Sequence, residues 1–258
     1  NGTLVFAGSS IITLSGIPTR LNNLTFSNTN TSGIALPESW IINGSLTIDA
    51  GSKVSGGANS YTIGGDLNIN GEYVSGSSII TLSSTLGDVF VSDITSLNHL
   101  VIAANAVITL NTDVNLLGNF TNNGSIDAAS PGAIVMAGDV NATIGGTATG
   151  LPNLTIAKTA TTVTLGNNLT GVLLLAINSG TLATSTYAIS QDAGGGMLFV
   201  QDNAMLKLEG TSSLPTFTIT NLDTLSTVEF AGSTQTITNG STTTFGNLVI
   251  STSGTKTA

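Results

Sequence analysis

Apolar residues in this chain fall in short alternating triplets that recur at a nearly constant spacing. Leu4-Val5-Phe6, Leu24-Thr25-Phe26, Leu46-Thr47-Ile48 and Leu67-Asn68-Ile69 begin 20, 22 and 21 positions apart. A period of two puts the outer residues of each triplet on one face of a strand and the middle residue on the other. The beat continues through Leu100-Val101-Ile102, Leu154-Thr155-Ile156, Leu198-Phe199-Val200 and Leu248-Val249-Ile250. The step from Phe120-Thr121-Asn122 to Ile134-Val135-Met136 is shorter, which predicts that those two triplets lie on different faces. No 3.6-residue apolar stripe is long enough for a helix, and the dominance of Thr, Val, Ile, Ser, Asn and Gly works against one.

Four longer stretches vary one theme: Phe6–Phe26, Val74–Ile102, Met136–Ile156 and Phe230–Ile250. Each opens on an apolar residue, a small residue and Gly, and closes on a strand like Leu-Thr-Ile. Three have the same length, and alignment gives the second an eight-residue insertion. Asn-Gly and Gly-Gly pairs punctuate the triplets, as at 43–44, 70–71, 123–124 and 64–65. These read as corners that need positive φ. Antiparallel sandwiches are the rival architecture, but repeat starts 68, 62 and 94 residues apart are irregular for domains of about 100 residues. The expected fold is all-β: a right-handed parallel β-helix of about a dozen coils of roughly 20 residues. It is expected to run as one continuous solenoid over residues 1–258, with repeats starting near 6, 74, 136 and 230. Strands in such a coil pair with those above and below at about 4.8 Å, giving a rod near 60 Å long.

Composition narrows the function classes. Charged residues make up 7% of the chain, net charge is −9, pI is near 4.1 and mean hydropathy is +0.38. Five scattered basic residues do not make a nucleic-acid footprint. No apolar run approaches the ~20 residues of a membrane span, so membrane insertion is not expected. Cysteine is absent, which excludes disulfides and thiolate metal sites. Ser, Thr, Asn and Gly do the solvating, and lysine is scarce, which suits a secreted bacterial surface protein. A chain beginning at Asn1 without Met reads as a mature product or a fragment.

The pattern FAGSxxxT[IL]xG…[LF]xNL[TV][IF], with I-N-G-S-L-T-I-D-A-G, resembles the repetitive right-handed β-helix segments of secreted surface proteins from the Bacteroidota and related phyla. Such segments are common in large adhesin-like proteins exported by the type IX system. The matching pieces are Phe6–Phe26, Ile42–Gly51, Gly138–Ile156, Val172–Leu182 and Phe230–Ile250. The resemblance implies a β-helix, export, and a place at the bacterial cell surface. It implies no activity.

Candidate chemistry is sparse. His99, the sole histidine, aligns with Asn23, Asn153 and Asn247 and reads as a ladder position at a corner, where a side chain satisfies backbone groups. The fourteen acids form no converging acid–base set of the kind a glycosidase needs. Asp49 aligns with Asn70, and Asp66 with Ser45, and no aligned position is expected to hold acids in consecutive coils. Arg20 is the only arginine available to a lyase. Asp88 with Asp93, or Asp192 with Asp202, would share an ion only by accident of folding, and no calcium-loop motif is present. Threonine runs at 161–164, 216–220 and 242–244 drift instead of forming the aligned rows that ice binding requires. Trp40 reads as packing beside a corner and less as a sugar platform. Ten N-x-[ST] sequons and the O-glycosylation-like Asp223-Thr224-Leu225 carry little weight.

No catalytic, cofactor-binding or metal-binding residue is therefore nominated. Neither end looks like a solenoid cap, so the expected partners are other copies stacked end to end or neighbouring repeats of a longer chain, with surface glycans as a further class. The expected function is an extracellular structural or adhesive solenoid without catalysis. A carbohydrate-active β-helix enzyme, lyase or hydrolase, is the alternative, and an ice-binding solenoid the third.

Overall fold

The computed structural model describes residues 2–16, 18–91, 95–237 and 244–257. The described residues contain strands and turns but no helix. The strands stack in parallel as a β-solenoid of about twelve turns, with about 21 residues per turn. This is the fold the triplet spacing predicts. The chain divides into two compact units, Asn1–Ala133 and Ile134–Ala258. No helix among the described residues is long and apolar enough to cross a membrane.

In the first unit each turn visits three faces. The first face holds Thr3–Gly8, Asn23–Asn28, Leu46–Ile48, Leu67–Ile69, Gly87–Val91, Val107–Leu110 and Ser125–Ile126. The second holds Ile34–Ala35, Lys53–Ser55 and Glu72–Val74. It is continued by single bridges from Val74 to Ser96 and from Leu97 to Leu116. The third carries Arg20–Leu21, Trp40–Ile42, Ser60–Ile63, Ile79–Leu82, His99–Ile102 and Phe120–Asn122.

Register turns the triplets into ladders of like residues. Leu24, Leu46, Leu67 and Val89 form one inward column of the first face, and Phe26, Ile48, Ile69 and Val91 the next. All eight are essentially inaccessible to solvent. Burying such a side chain stabilises the fold by roughly 1.5–3 kcal/mol. The middle residues Thr25, Thr47 and Asn68 point the other way. On the third face Trp40 lies in register with Tyr61, and Ile42, Ile63, Leu82 and Ile102 form the next column. Trp40 is 1% exposed, so it is a core residue.

The second unit is built the same way with longer strands. Ile134–Gly138 pairs with the first part of Asn153–Leu165, and Ala142–Gly145 with its last part. Asn153–Leu165 and Leu174–Ala183 pair along their length, with register shifts on both sides of Ala157. Those shifts carry each strand round a corner. Met197–Val200 and Ile219–Leu222 continue one stack, while Met205–Leu208, Thr227–Phe230 and Asn247–Ile250 continue the other.

Three of the four sequence repeats are single turns that close on themselves. Phe6 lies in register with Phe26, Met136 with Ile156 and Phe230 with Ile250. The rings of Phe6 and Phe26 stack with centroids 5.5 Å apart. Two residues beyond each closing strand position, a polar side chain returns to the turn before. Asn28 Nδ2 donates to Ser10 O at 3.0 Å, Lys158 Nζ donates to Ala137 O, and Thr252 Oγ1 donates to Gly232 O at 2.6 Å. Val74–Ile102 does not fit this scheme. Ile102 stacks on Leu82, whereas Val74 belongs to the second face beside Ser55. Its apparent insertion is an extra face: from Val74 the chain passes the third and first faces, returns to the second at Ser96 and ends on the third at Ile102.

The glycines of the Asn-Gly corners also play a different part from the expected one. Gly44, Gly71 and Gly124 do not have positive φ; among non-glycines, Asn105 and Asn203 do, each at 65°, as does Ser185 at 55°. What requires glycine is the close approach of stacked turns. A Cβ on Gly124 would sit 2.5 Å from the carbonyl oxygens of both Ala103 and Ala106.

Candidate functional site

Where strands give way to corners, backbone N–H groups lose their ladder partners, and side chains of the preceding turn take them over. On the first face Asn23 Oδ1 accepts from Ser45 N at 3.0 Å. Ser45 Oγ accepts from Asp66 N at 3.1 Å, and Asp66 Oδ1 from Asp88 N at 3.1 Å. In the same unit Asp113 Oδ1 accepts from Ala133 N at 2.8 Å. In the second unit Asn141 accepts from Thr162 N, Asn168 from Ala188 N, and Asp202 from Leu225 N.

His99 belongs to this set. Its Nδ1 accepts the backbone N–H of Asn119 at 2.8 Å, the role that Asn23 plays for Ser45. Asn247 also serves the backbone, donating from Nδ2 to Ser226 O at 3.1 Å. The imidazole is thereby oriented with Nε2 as its donor.

The acids are distributed in similar work. Asp49 accepts from the Ser27 hydroxyl, and Asp192 closes a local turn with Gly194 N at 2.8 Å. Glu209 pairs with Lys207 at 3.0 Å and accepts from Ser185 N. The Lys207 ammonium is held above its ordinary value, chiefly by its hydrogen bond to Glu209. One expectation is corrected. Asp66 and Asp88 do occupy aligned positions in consecutive turns, because Val89 registers with Leu67. Corner length shifts by a residue between turns, so acids 22 apart align where a 20- or 21-residue beat would separate them.

The other residues weighed for chemistry remain apart. Arg20 is exposed on the first strand of the third face. Thr224 of Asp223-Thr224-Leu225 sits exposed in a turn. The outward column of the third face reads Ile41, Thr62, Thr81, Val101, Thr121, one threonine per strand at most. Among the described residues no three His, Asp or Glu side chains converge to hold a metal ion. Asp93, Thr242, Thr243 and the sequons at Asn1 and Asn239 lie outside the described residues.

Sequence reasoning passed over the corner between the first and second faces of the first unit. There the chain leaves a cavity of about 280 Å³ lined by Thr29–Thr31, Gly51–Lys53 and Asn70–Glu72. Lys53 Nζ and Glu72 Oε1 are 2.9 Å apart within it. Ser52 is 2% exposed, and its hydroxyl has no hydrogen-bond partner. Lys53 and Glu72 are 19 positions apart, a one-turn spacing that would have paired them had register been known.

In comparisons with known proteins, the chain matches no family model, no curated protein and no solved structure.

Proposed function

We propose that this chain is an extracellular structural and adhesive β-solenoid at a bacterial cell surface, working without catalysis. The observation that carries the reading is the use made of its polar side chains. His99, Asp66, Asp113, Asp202 and Glu209 each accept a backbone N–H of an adjacent turn, so the groups with chemical potential serve as fasteners. The partner in this reading is a further turn of the same kind, from a second copy or from a neighbouring repeat of a longer chain. Exposed apolar residues on the strand Asn247–Ile250 support it, since another strand would cover them.

Electron microscopy of the purified protein tests the reading. Uniform fibres with a repeat of ~4.8 Å along the axis are the expected result for end-to-end stacking. Particles of single-chain mass at every concentration would overturn self-stacking and leave only neighbouring repeats as the partner.

A second reading, a carbohydrate-active β-helix enzyme, is favoured by one observation: the stacking of Asp66 on Asp88. Release of reducing ends from a polysaccharide panel, lost in both Asp66→Asn and Asp88→Asn, would establish it. No release by the unaltered chain would dismiss it for that panel.

A further inference from the structure

Three successive corners joining the first face to the second shorten along the chain. They comprise residues 29–33, then 49–52, then 70–71. Each shorter corner sets the backbone back from the turn before it, and the step left behind is the 280 Å³ recess. The recess is thus a product of corner length, built on strands whose inward residues are fully buried.

Its chemistry is balanced. Lys53 and Glu72 stand in direct register on neighbouring strands and pair across the step at 2.9 Å. That contact uses one ammonium hydrogen and Oε1, which leaves two N–H donors on Lys53 and Oε2 on Glu72. Asn70, exposed beside them, adds a donor and an acceptor on one amide. Ser52 lines the same recess through its backbone, its hydroxyl being buried on the inward side with Val54 and closed off from the recess. None of the nine lining residues is a large apolar or aromatic side chain.

We propose that this recess binds one sugar residue of a glycan through adjacent hydroxyls that bridge Lys53, Glu72 and Asn70. A vicinal diol offers each oxygen as donor and acceptor at once, which matches an alternating row of ammonium, carboxylate and amide. The paired charges cancel, so a phosphate or a free cation gains no net attraction. A flat apolar ligand finds no wall to pack on. The volume lies at the lower end of small-molecule sites and suits a single ring. The choice of a glycan rests on the adhesive reading above, but its test measures binding and not assembly, so the two fail separately.

The whole chain, titrated with methyl glycosides of glucose, galactose, mannose and N-acetylglucosamine, is followed by amide chemical shifts. The expected result is movement of amides in 29–31, 51–53 and 70–72 for at least one glycoside, with a Kd of roughly 1 mM. Glu72→Gln should weaken that binding about tenfold by removing a charged acceptor. Asn70→Ala should weaken it too, with no fall in melting temperature, because the exposed amide is one of the three groups that hold the diol. Because the Lys53–Glu72 pair is exposed, its loss leaves folding nearly unchanged, and the melting temperature of each variant verifies this. Three outcomes overturn the proposal: no shifts at ~50 mM of any glycoside, shifts confined to other corners, or unchanged affinity in Glu72→Gln. Fibres seen by microscopy together with any of these would leave the structural reading standing and remove the site.

Discussion

The backbone N–H of Asn119 donates to Nδ1 of His99, 2.8 Å away and one turn earlier. Asn23 holds Ser45 N in the same way at 3.0 Å, so an amide oxygen can replace the ring nitrogen. His99→Asn is therefore expected to change stability by no more than ~0.5 kcal/mol, whereas His99→Ala, which exchanges this bond for one to water, should cost about 1 kcal/mol. Urea denaturation of the two variants checks this. A loss as large for Asn as for Ala would show that the ring matters for something other than its acceptor.

Phe26 is wholly buried between Phe6 and Ile48, with its ring stacked on that of Phe6. Phe26→Ala should cost about 3–5 kcal/mol through lost burial and the cavity left behind. Its neighbour Thr25 points outward, and Thr25→Ala should stay within about 0.5 kcal/mol. Thermal melts of the two variants would expose an error in the inward–outward assignment, since a reversed order is incompatible with the register.

These two residues also mark what was legible in the sequence. The alternation in Leu24-Thr25-Phe26 is a property of the strand itself, so its faces could be assigned without a partner. Its recurrence after about one turn revealed the stacking of Phe6 on Phe26. Neighbours across turns are different, because they depend on how many residues each corner takes. Corners 29–33, 49–52 and 70–71 differ in length, and no residue pattern announces which face absorbs the difference. Hence the alignment of Asp66 with Asp88 is not legible, Val74 aligns by sequence with a strand of another face, and the recess around Lys53 and Glu72 leaves no trace in the pattern. The part of His99 was legible because three asparagines mark the same repeat position.

Glycine substitutions should separate by the space available rather than by sequence context. A Cβ on Gly124 would meet Ala103 O and Ala106 O at 2.5 Å, while one on Gly150 would meet nothing within 4 Å. Gly150 also lacks positive φ. Gly124→Ala should cost about 1–3 kcal/mol from overpacking, and Gly150→Ala should gain roughly 0.4–1 kcal/mol by restricting the unfolded chain. Denaturant midpoints measured at equal slope decide it; similar midpoints for both variants would contradict the close approach of turns at Gly124.

Lys158 should give the second unit a pH dependence. The side chain is buried at an inward position, and burial pushes its ammonium below the ordinary 10.5, with Asp139 pulling it partly back. Between the lowered native value and 10.5 the unfolded chain binds more protons than the native one. Stability therefore rises with pH through that window, and below it the full penalty applies. Tyr73, whose hydroxyl is pushed up by burial, acts in the opposite sense, but only above the ordinary tyrosine value of about 10. Melting temperatures of the unaltered chain and Lys158→Met, compared from about pH 7 to about pH 10, isolate the lysine. The difference between them should climb with pH in favour of the unaltered chain. A flat difference would mean that Lys158 is not desolvated.

The strand Asn247–Ile250 provides the sharpest test of end-to-end stacking. It pairs with Thr227–Phe230, where Val228 is 1% and Phe230 0% exposed, whereas their register partners Leu248 and Ile250 are 43% and 51% exposed. The same two columns thus pass from full burial to half exposure in one turn, because no strand among the described residues lies over the second of them. A further strand would restore the burial and would pair with the backbone edge that no described strand occupies. Lysines at inward edge positions block such pairing, and at exposed sites they place little strain on the remaining turn. Leu248→Lys combined with Ile250→Lys should therefore abolish fibres in electron micrographs and leave the melting temperature of the isolated chain within a few degrees, a shift of about 1 kcal/mol or less. Fibres that persist in the double variant would place the self-contact elsewhere on the chain and remove the principal support for stacking through this strand.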